Sequence, residues 1–150
     1  SGGGLALIKE FEGLRLIAYQ DDHGIWTVGY GSIKNVVQGM EITQEQADAR
    51  LRQDLLEAED VVNDTAADLE IHLSQDQFDG LVIFVFNVGR DAFRISTVHE
   101  RLALQDFVGA AQAITLFYKV TSPKTKRKEP NKGLLRRRFK EGLLFLEGTK

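Results

Sequence analysis

The sequence has no cysteine, two prolines, one tryptophan and one methionine in 150 residues. Without cysteine there are neither disulfides nor thiolate metal sites, so the fold does not depend on redox compartment. No apolar run approaches the roughly 20 residues that span a bilayer. The opening Ser1-Gly2-Gly3-Gly4 does not have the shape of a signal peptide. Internal repeats and low-complexity tracts are missing too. His23, His72 and His99 show no metal spacing such as H-E-x-x-H, and there is neither a Gly-rich phosphate loop nor a Ser-His-Asp constellation. We expect no metal and no cofactor.

What is present describes a soluble globular chain, 43% hydrophobic and 27% charged, long enough for one domain with a real core. The net charge of −3 hides an asymmetry. Between Lys119 and Lys140 stand ten Lys or Arg and one acid, Glu129, so that stretch is +9 and the remainder −12. The plain reading is a solvated face. The functional reading is an anionic polymer partner. No nucleic-acid reading motif accompanies the basic run, and no nucleic-acid partner is expected.

Apolar periodicity predicts a first helix from about Leu5 to Glu12, with Leu5, Ile8 and Glu12 on one stripe and Gly13 as its stop. Residues 15–32, RLIAYQDDHGIWTVGYGS, read as a β-hairpin with Asp21-Asp22-His23-Gly24 as the turn. Thr43-Gln44-Glu45-Gln46 fits a capping box opening a long helix, whose stripe is Ala47, Leu51, Leu55, Ala58 and Val62, ending near Asn63. Ser74 caps a helix that is apolar nearly all round and stops at Gly89, which places it in the core. Shorter helices are predicted over 96–104 and 106–117. Pro123 and Pro130 bracket a basic loop, and a last helix runs from near Asn131 to about Glu147. The fold class is therefore α+β and mainly helical: a small hairpin lobe, a connecting long helix and a larger helical lobe.

Glu12 is the odd residue. Desolvation by its apolar neighbours and the negative end of a helix both disfavour a charged carboxylate. A carboxyl kept protonated is what a general acid needs. The plainer alternative is a solvated side chain, or a pair with Arg15. On the second hairpin strand, Ile25, Thr27, Gly29 and Gly31 share a face that is nearly bare beyond Thr27, a mark of close approach by a ligand or another backbone. A two-residue turn puts Asp22 on Thr27's face, whereas a three-residue loop puts Asp21 there with Gly24 left-handed. The residues alone leave both registers open. A protonated carboxyl, an ionised carboxylate and a positioned water together meet the requirement for cleaving a glycosidic bond.

The stretch FEGLRLIAYQDDHGIWTVGYG, residues 11–31, resembles the N-terminal signature of the phage-type lysozymes, glycoside hydrolase family 24. The resemblance continues through ITQEQADARLRQDL, QFDGLVIFVFNVG and GLLRRRFKEGLLFL and covers nearly the whole chain. It implies a single lysozyme-like domain over 1–150, with a hairpin lobe of about residues 14–60 and a helical lobe of about 1–13 plus 61–150. It implies an endolysin that hydrolyses the β-1,4 bond between N-acetylmuramic acid and N-acetylglucosamine, made in the host cytoplasm and acting on the cell wall, as a monomer. The export route is not visible in the chain. By position, Glu12 would be the general acid, Asp21 rather than Asp22 the carboxylate, and Thr27 the catalytic threonine. Phe86 and Asn87 would line the cleft. The attack would invert the anomeric centre. The competing readings are a lytic transglycosylase and a non-catalytic peptidoglycan-binding module. One departure stands out: the family usually reads Gly-Tyr-Gly-His, and here the last position is Ser32. The family's usual Trp before the basic region is replaced by Phe117-Tyr118, and the Lys-rich loop from Lys124 to Lys132 is also unusual.

Overall fold

The computed structural model describes residues 1–121 and 125–149, so Pro123 and Lys124 lie outside the described residues. Contacts divide the chain into two compact units, Gly2–Glu57 and Ala58–Lys150 with Ser1.

In the first unit, α1 spans Gly2–Glu12. It starts three residues earlier than the apolar stripe suggested, because glycines, poor helix formers, are wound into its first turn. It stops at Gly13, whose φ is 66° and whose N–H donates to the Lys9 carbonyl at 3.1 Å. Lys9 pairs with Asp48 at 2.8 Å and lies 5.3 Å above the Tyr30 ring. By contacts α1 falls in the same compact unit as the hairpin. The hairpin forms as expected, from β1 (Arg15–Gln20) and β2 (Trp26–Gly29), antiparallel with Tyr19 opposite Thr27 and Gln20 opposite Trp26. On its other edge β1 bonds to 40–42, through Ala18 N–H to the Met40 carbonyl at 2.8 Å and Ile42 N–H to the Leu16 carbonyl at 2.9 Å.

The long helix α2 (Gln44–Asp68) opens with the reciprocal capping box. The Gln46 N–H donates to Thr43 Oγ1 at 3.2 Å, and the Thr43 N–H donates to Gln46 Oε1 at 2.9 Å. Its predicted stripe of Ala47, Leu51, Leu55, Ala58 and Val62 is buried throughout. It overruns Asn63 by five residues and ends in a Schellman turn: Ile71 N–H bonds the Ala66 carbonyl, Glu70 N–H bonds the Ala67 carbonyl, and Glu70 takes a φ of 52°. That position usually holds glycine, and the glutamate hid the helix end.

In the second unit, α3 (Gln75–Val88) carries a capping box between Ser74 and Gln77 and is buried on almost every side from Gln77 to Val85. A short helix that the periodicity missed, α4 (Arg90–Arg94), follows Gly89. Next come α5 (Thr97–Ala103), capped by Ser96, and α6 (Phe107–Thr115), capped by Asp106. Between them Gln105 repeats the Glu70 device, with φ 54° and the Asp106 N–H bonded to the Arg101 carbonyl. The basic loop contains a second small hairpin, β3 (Lys119–Thr121) against β4 (Lys128–Pro130). Asn131 caps α7 (Lys132–Glu147), accepting from the Leu134 N–H at 2.9 Å. The core holds Phe84, Phe93, Leu102, Ile114 and Phe145, with Phe84 edge-on to Phe93 at 6.4 Å and to Phe117 at 5.4 Å. The α+β, mainly helical class holds.

A left-handed conformation costs a side-chain-bearing residue about 1 kcal/mol that glycine avoids. Glu70→Gly and Gln105→Gly should each raise the thermal midpoint by about 2–4 °C, read by calorimetry. A lower midpoint for both would mean that the side chains, not the backbone, hold these turns.

Candidate active site

Glu12 occupies the last turn of α1 and is half-buried, while Glu10 is exposed. The bare face of the hairpin answers it. A Cβ at Gly31, whose φ is 95°, would stand 3.6 Å from Glu12 Oε2. At Gly31 the close approach is thus made by a carboxyl group of the protein itself, whereas at Gly29 it is made by Ala47 and Ile42, which a Cβ would meet at 3.3 and 3.4 Å.

The hairpin turn is the three-residue loop 22–24. The Asp21 N–H donates to the Ile25 carbonyl at 3.0 Å, and the Gly24 N–H donates to the Asp21 carbonyl at 2.9 Å. Gly24 is left-handed at φ 77°. This register puts Asp21 on the face of Tyr19 and Thr27, and it leaves Asp22 exposed in the loop. Asp21 Oδ1 accepts two backbone N–H groups, from Ile25 at 2.9 Å and His23 at 2.8 Å. The Ile25 bond, then the His23 bond and the nearby His23 charge, outweigh desolvation and hold the Asp21 carboxyl below its ordinary 3.8. Oδ2 accepts no hydrogen bond among the described residues. One oxygen is anchored and the other remains for a reactant.

Thr27 is buried, at 4% exposure, and its hydroxyl donates to the Ile25 carbonyl at 3.0 Å. A carbonyl can only accept, so the Thr27 proton is committed. Toward any third group Thr27 Oγ1 acts as an acceptor. The backbone of Ile25 thereby holds both candidate residues: its N–H anchors Asp21 and its carbonyl orients Thr27. Residue-type reasoning could not find it, because only its main chain takes part. Ser32, in the position of the family's His, is 4% exposed, and its backbone exchanges two hydrogen bonds with Val28 at 2.9 and 3.0 Å.

Phe86 and Asn87 belong to the second unit, on the last turn of α3. Phe86 is half-buried, and Asn87 is exposed with its Oδ1 accepting from Arg138 Nη2.

A helix ending in a carboxylate, a hairpin with a bare face and a mainly helical second unit define a lysozyme-like protein. The sequence model of the phage lysozyme family matches residues 9–141. The endolysin of Acyrthosiphon pisum secondary endosymbiont phage 1 is 42% identical over 143 residues, covering 95% of this chain and 94% of that protein. The solved muramidase domain of SpmX from Asticaccaulis excentricus is 40% identical with a TM-score of 0.89, covering 97% of this chain and 96% of that one. The endolysin from Escherichia coli O157:H7 phage FAHEc1 is 38% identical with a TM-score of 0.88, covering 98% and 92%. The chain belongs to the phage lysozyme family.

A carboxyl with a depressed pKa stays ionised as pH falls past 3.8, and what it lends the loop is lost only below that. Followed by carboxyl-carbon NMR through an acid titration, Asp21 should show a midpoint under 3.8. A midpoint at or above that value would mean the two N–H bonds do not form in solution.

Proposed function

We propose that this member of the phage lysozyme family is a muramidase endolysin, with Glu12, Asp21 and Thr27 as its catalytic residues in one lysozyme-like domain over 1–150. It is a glycoside hydrolase that cuts the β-1,4 bond between N-acetylmuramic acid and N-acetylglucosamine, and its place of action is the cell wall. The observation that carries the assignment of roles is the pairing of a helix-end carboxyl against a bare hairpin position with a hairpin carboxylate kept ionised by backbone N–H groups.

The roles follow from donors and acceptors. Glu12, as general acid, gives its proton to the glycosidic oxygen as the bond to the anomeric carbon lengthens. A water held by Asp21 Oδ2 and Thr27 Oγ1 donates one hydrogen to each, because both are acceptors here. Its lone pair is then left for the anomeric carbon. Asp21 takes the water's proton as the new C–O bond forms. Attack from the side opposite the leaving oxygen inverts the centre, and it calls for a carboxyl separation of about 6.5–9.5 Å in the substrate complex. An oriented water also favours hydrolysis over the transglycosylase route, which closes an anhydro ring without water. Phe86 and Asn87 contribute substrate contacts in this reading. The Asn87 amide nitrogen is the group to offer, since its oxygen is engaged by Arg138.

The basic stretch 119–140 docks the enzyme on anionic envelope polymers. The surface charge is smaller than the sequence count, because Arg137 and Arg138 are buried. Lys126, Arg127, Lys128, Lys132 and Arg136 are exposed. Lysis should fall as salt screens them, and lysis unchanged up to about 0.5 M salt would rule the docking out.

Mass spectrometry of muropeptides from digested peptidoglycan tests the main assignment. Wild type should release hydrolysed reducing ends, and Glu12→Gln should lose about 100-fold or more in rate. Anhydro ends would convert the assignment to a transglycosylase. Glycan binding with no release by wild type would mean a binding module.

A further inference from the structure

Helix α7 has more apolar surface than its packing uses. Its inner face carries Arg138, Glu141 and Phe145, all fully buried. On the outer side Leu135, Phe139, Leu143 and Leu146 follow one another at spacings of 4, 4 and 3, with exposures of 46%, 61%, 38% and 40%. That spacing puts them on a single stripe. Beside the stripe, on the α6 side, lies an apolar groove of about 150 Å³ walled by Val108, Phe139, Leu143 and Leu146. Its floor is the close approach of α6 and α7, where a Cβ at Gly142 would meet the Ala111 carbonyl at 2.9 Å. Lys132, Arg136 and Lys140 form a row, also at helical spacing, along the stripe's other flank, with Glu147 as the one acid on the outer face of this helix. The exposed Lys126, Arg127 and Lys128 immediately precede the helix.

Apolar residues backed by cations are the signature of a surface that lies in the headgroup region of an anionic bilayer. We propose that the outer face of α7 binds anionic phospholipid membranes, with Phe139 and Leu143 entering the acyl boundary and Lys132 and Arg136 meeting the headgroups. A hydrated glycan or polyanion would use the cations and leave the four apolar side chains in water. A second copy of the chain would cover the apolar stripe but set the row of three cations against the same row, with one acid, Glu147, to answer it. An anionic bilayer satisfies both features at once.

Cosedimentation with vesicles tests this without reference to glycan cleavage, since vesicles hold no peptidoglycan; the muramidase assignment stands or falls separately. Wild type should sediment with phosphatidylglycerol-containing vesicles about tenfold more than with pure phosphatidylcholine. The double variant Phe139→Ser, Leu143→Ser should lose about tenfold of that binding at unchanged circular dichroism, while Phe139→Leu retains it. Equal binding to both vesicle types, or none, would overturn the proposal. Full binding by the double variant would mean charge alone acts and would overturn it as well. A dimer in sedimentation equilibrium that the double variant abolishes would reassign the face to self-association.

Discussion

A fully buried carboxylate governs the helical unit. Glu141 has no exposed surface and lies against two guanidinium groups: Arg137 Nε at 2.9 Å and Arg138 Nη1. Burial pushes the Glu141 carboxyl up and the Arg138 guanidinium down, and each is the main opposing influence on the other. Such a cluster adds little net stability, yet leaving one partner alone costs about 3–5 kcal/mol. Its consequence is positional. Arg138 also donates to the Phe117 carbonyl at 3.1 Å and to Asn87, and its guanidinium lies 5.0 Å from the centre of the Phe84 ring. One side chain therefore fixes α7 against α3 and against the chain leaving α6. A one-residue slip of α7 would strand three charges in an apolar interior, so the register of this helix is closely specified.

The same cluster bears on the surface. The two buried arginines are withdrawn from the basic stretch, so its charge lies on the β3–β4 hairpin and the outer face of α7. With the inner face of α7 committed to the ion cluster and Phe145, Leu135, Leu143 and Leu146 are left exposed, while Leu134 and Leu144 are half-buried. A helix built to satisfy an internal carboxylate thus carries its exposed apolar stripe as the other half of one pattern.

Much of this was legible beforehand where a side chain declares its own local structure. Thr43 with Gln46 announced one helix start, because a capping box is reciprocal and short-range, and Ser74 announced another as a cap, with Gln77 as the unread other half of its box. The apolar stripe of α2 was readable because its period is the helix's own. Helix ends were less so: Glu70 and Gln105 stand where glycine is usual, and the energetic reason lies in backbone bonds that no residue type encodes. The β3–β4 hairpin was missed because Lys-Glu-Pro is a poor strand former, and Pro130 is tolerated only at a strand's end. In the candidate site, Glu12 could be picked out as unusual for its place, and Thr27, an ordinary strand residue by itself, only through the glycine-bare face it shares. The choice between Asp21 and Asp22 could not be made from the residues alone, because a one-residue change of loop length moves the carboxylate to the opposite face. The main chain of Ile25 made that choice.

The Ser32 departure takes on a different weight beside this geometry. Serine cannot carry the positive charge a histidine could bring, so a site that relied on charge from position 32 would have lost its electrostatic support. Here the hairpin carboxylate is held ionised from the opposite end of β2, by the N–H groups of Ile25 and His23 and by the His23 charge. The tight Val28–Ser32 backbone pair, for its part, is made entirely by main-chain groups that any residue supplies. What position 32 must do for the fold is therefore done by its backbone, and what the carboxylate needs is supplied at the loop. The substitution removes a titratable side chain from the hairpin without removing the interactions that keep Asp21 charged.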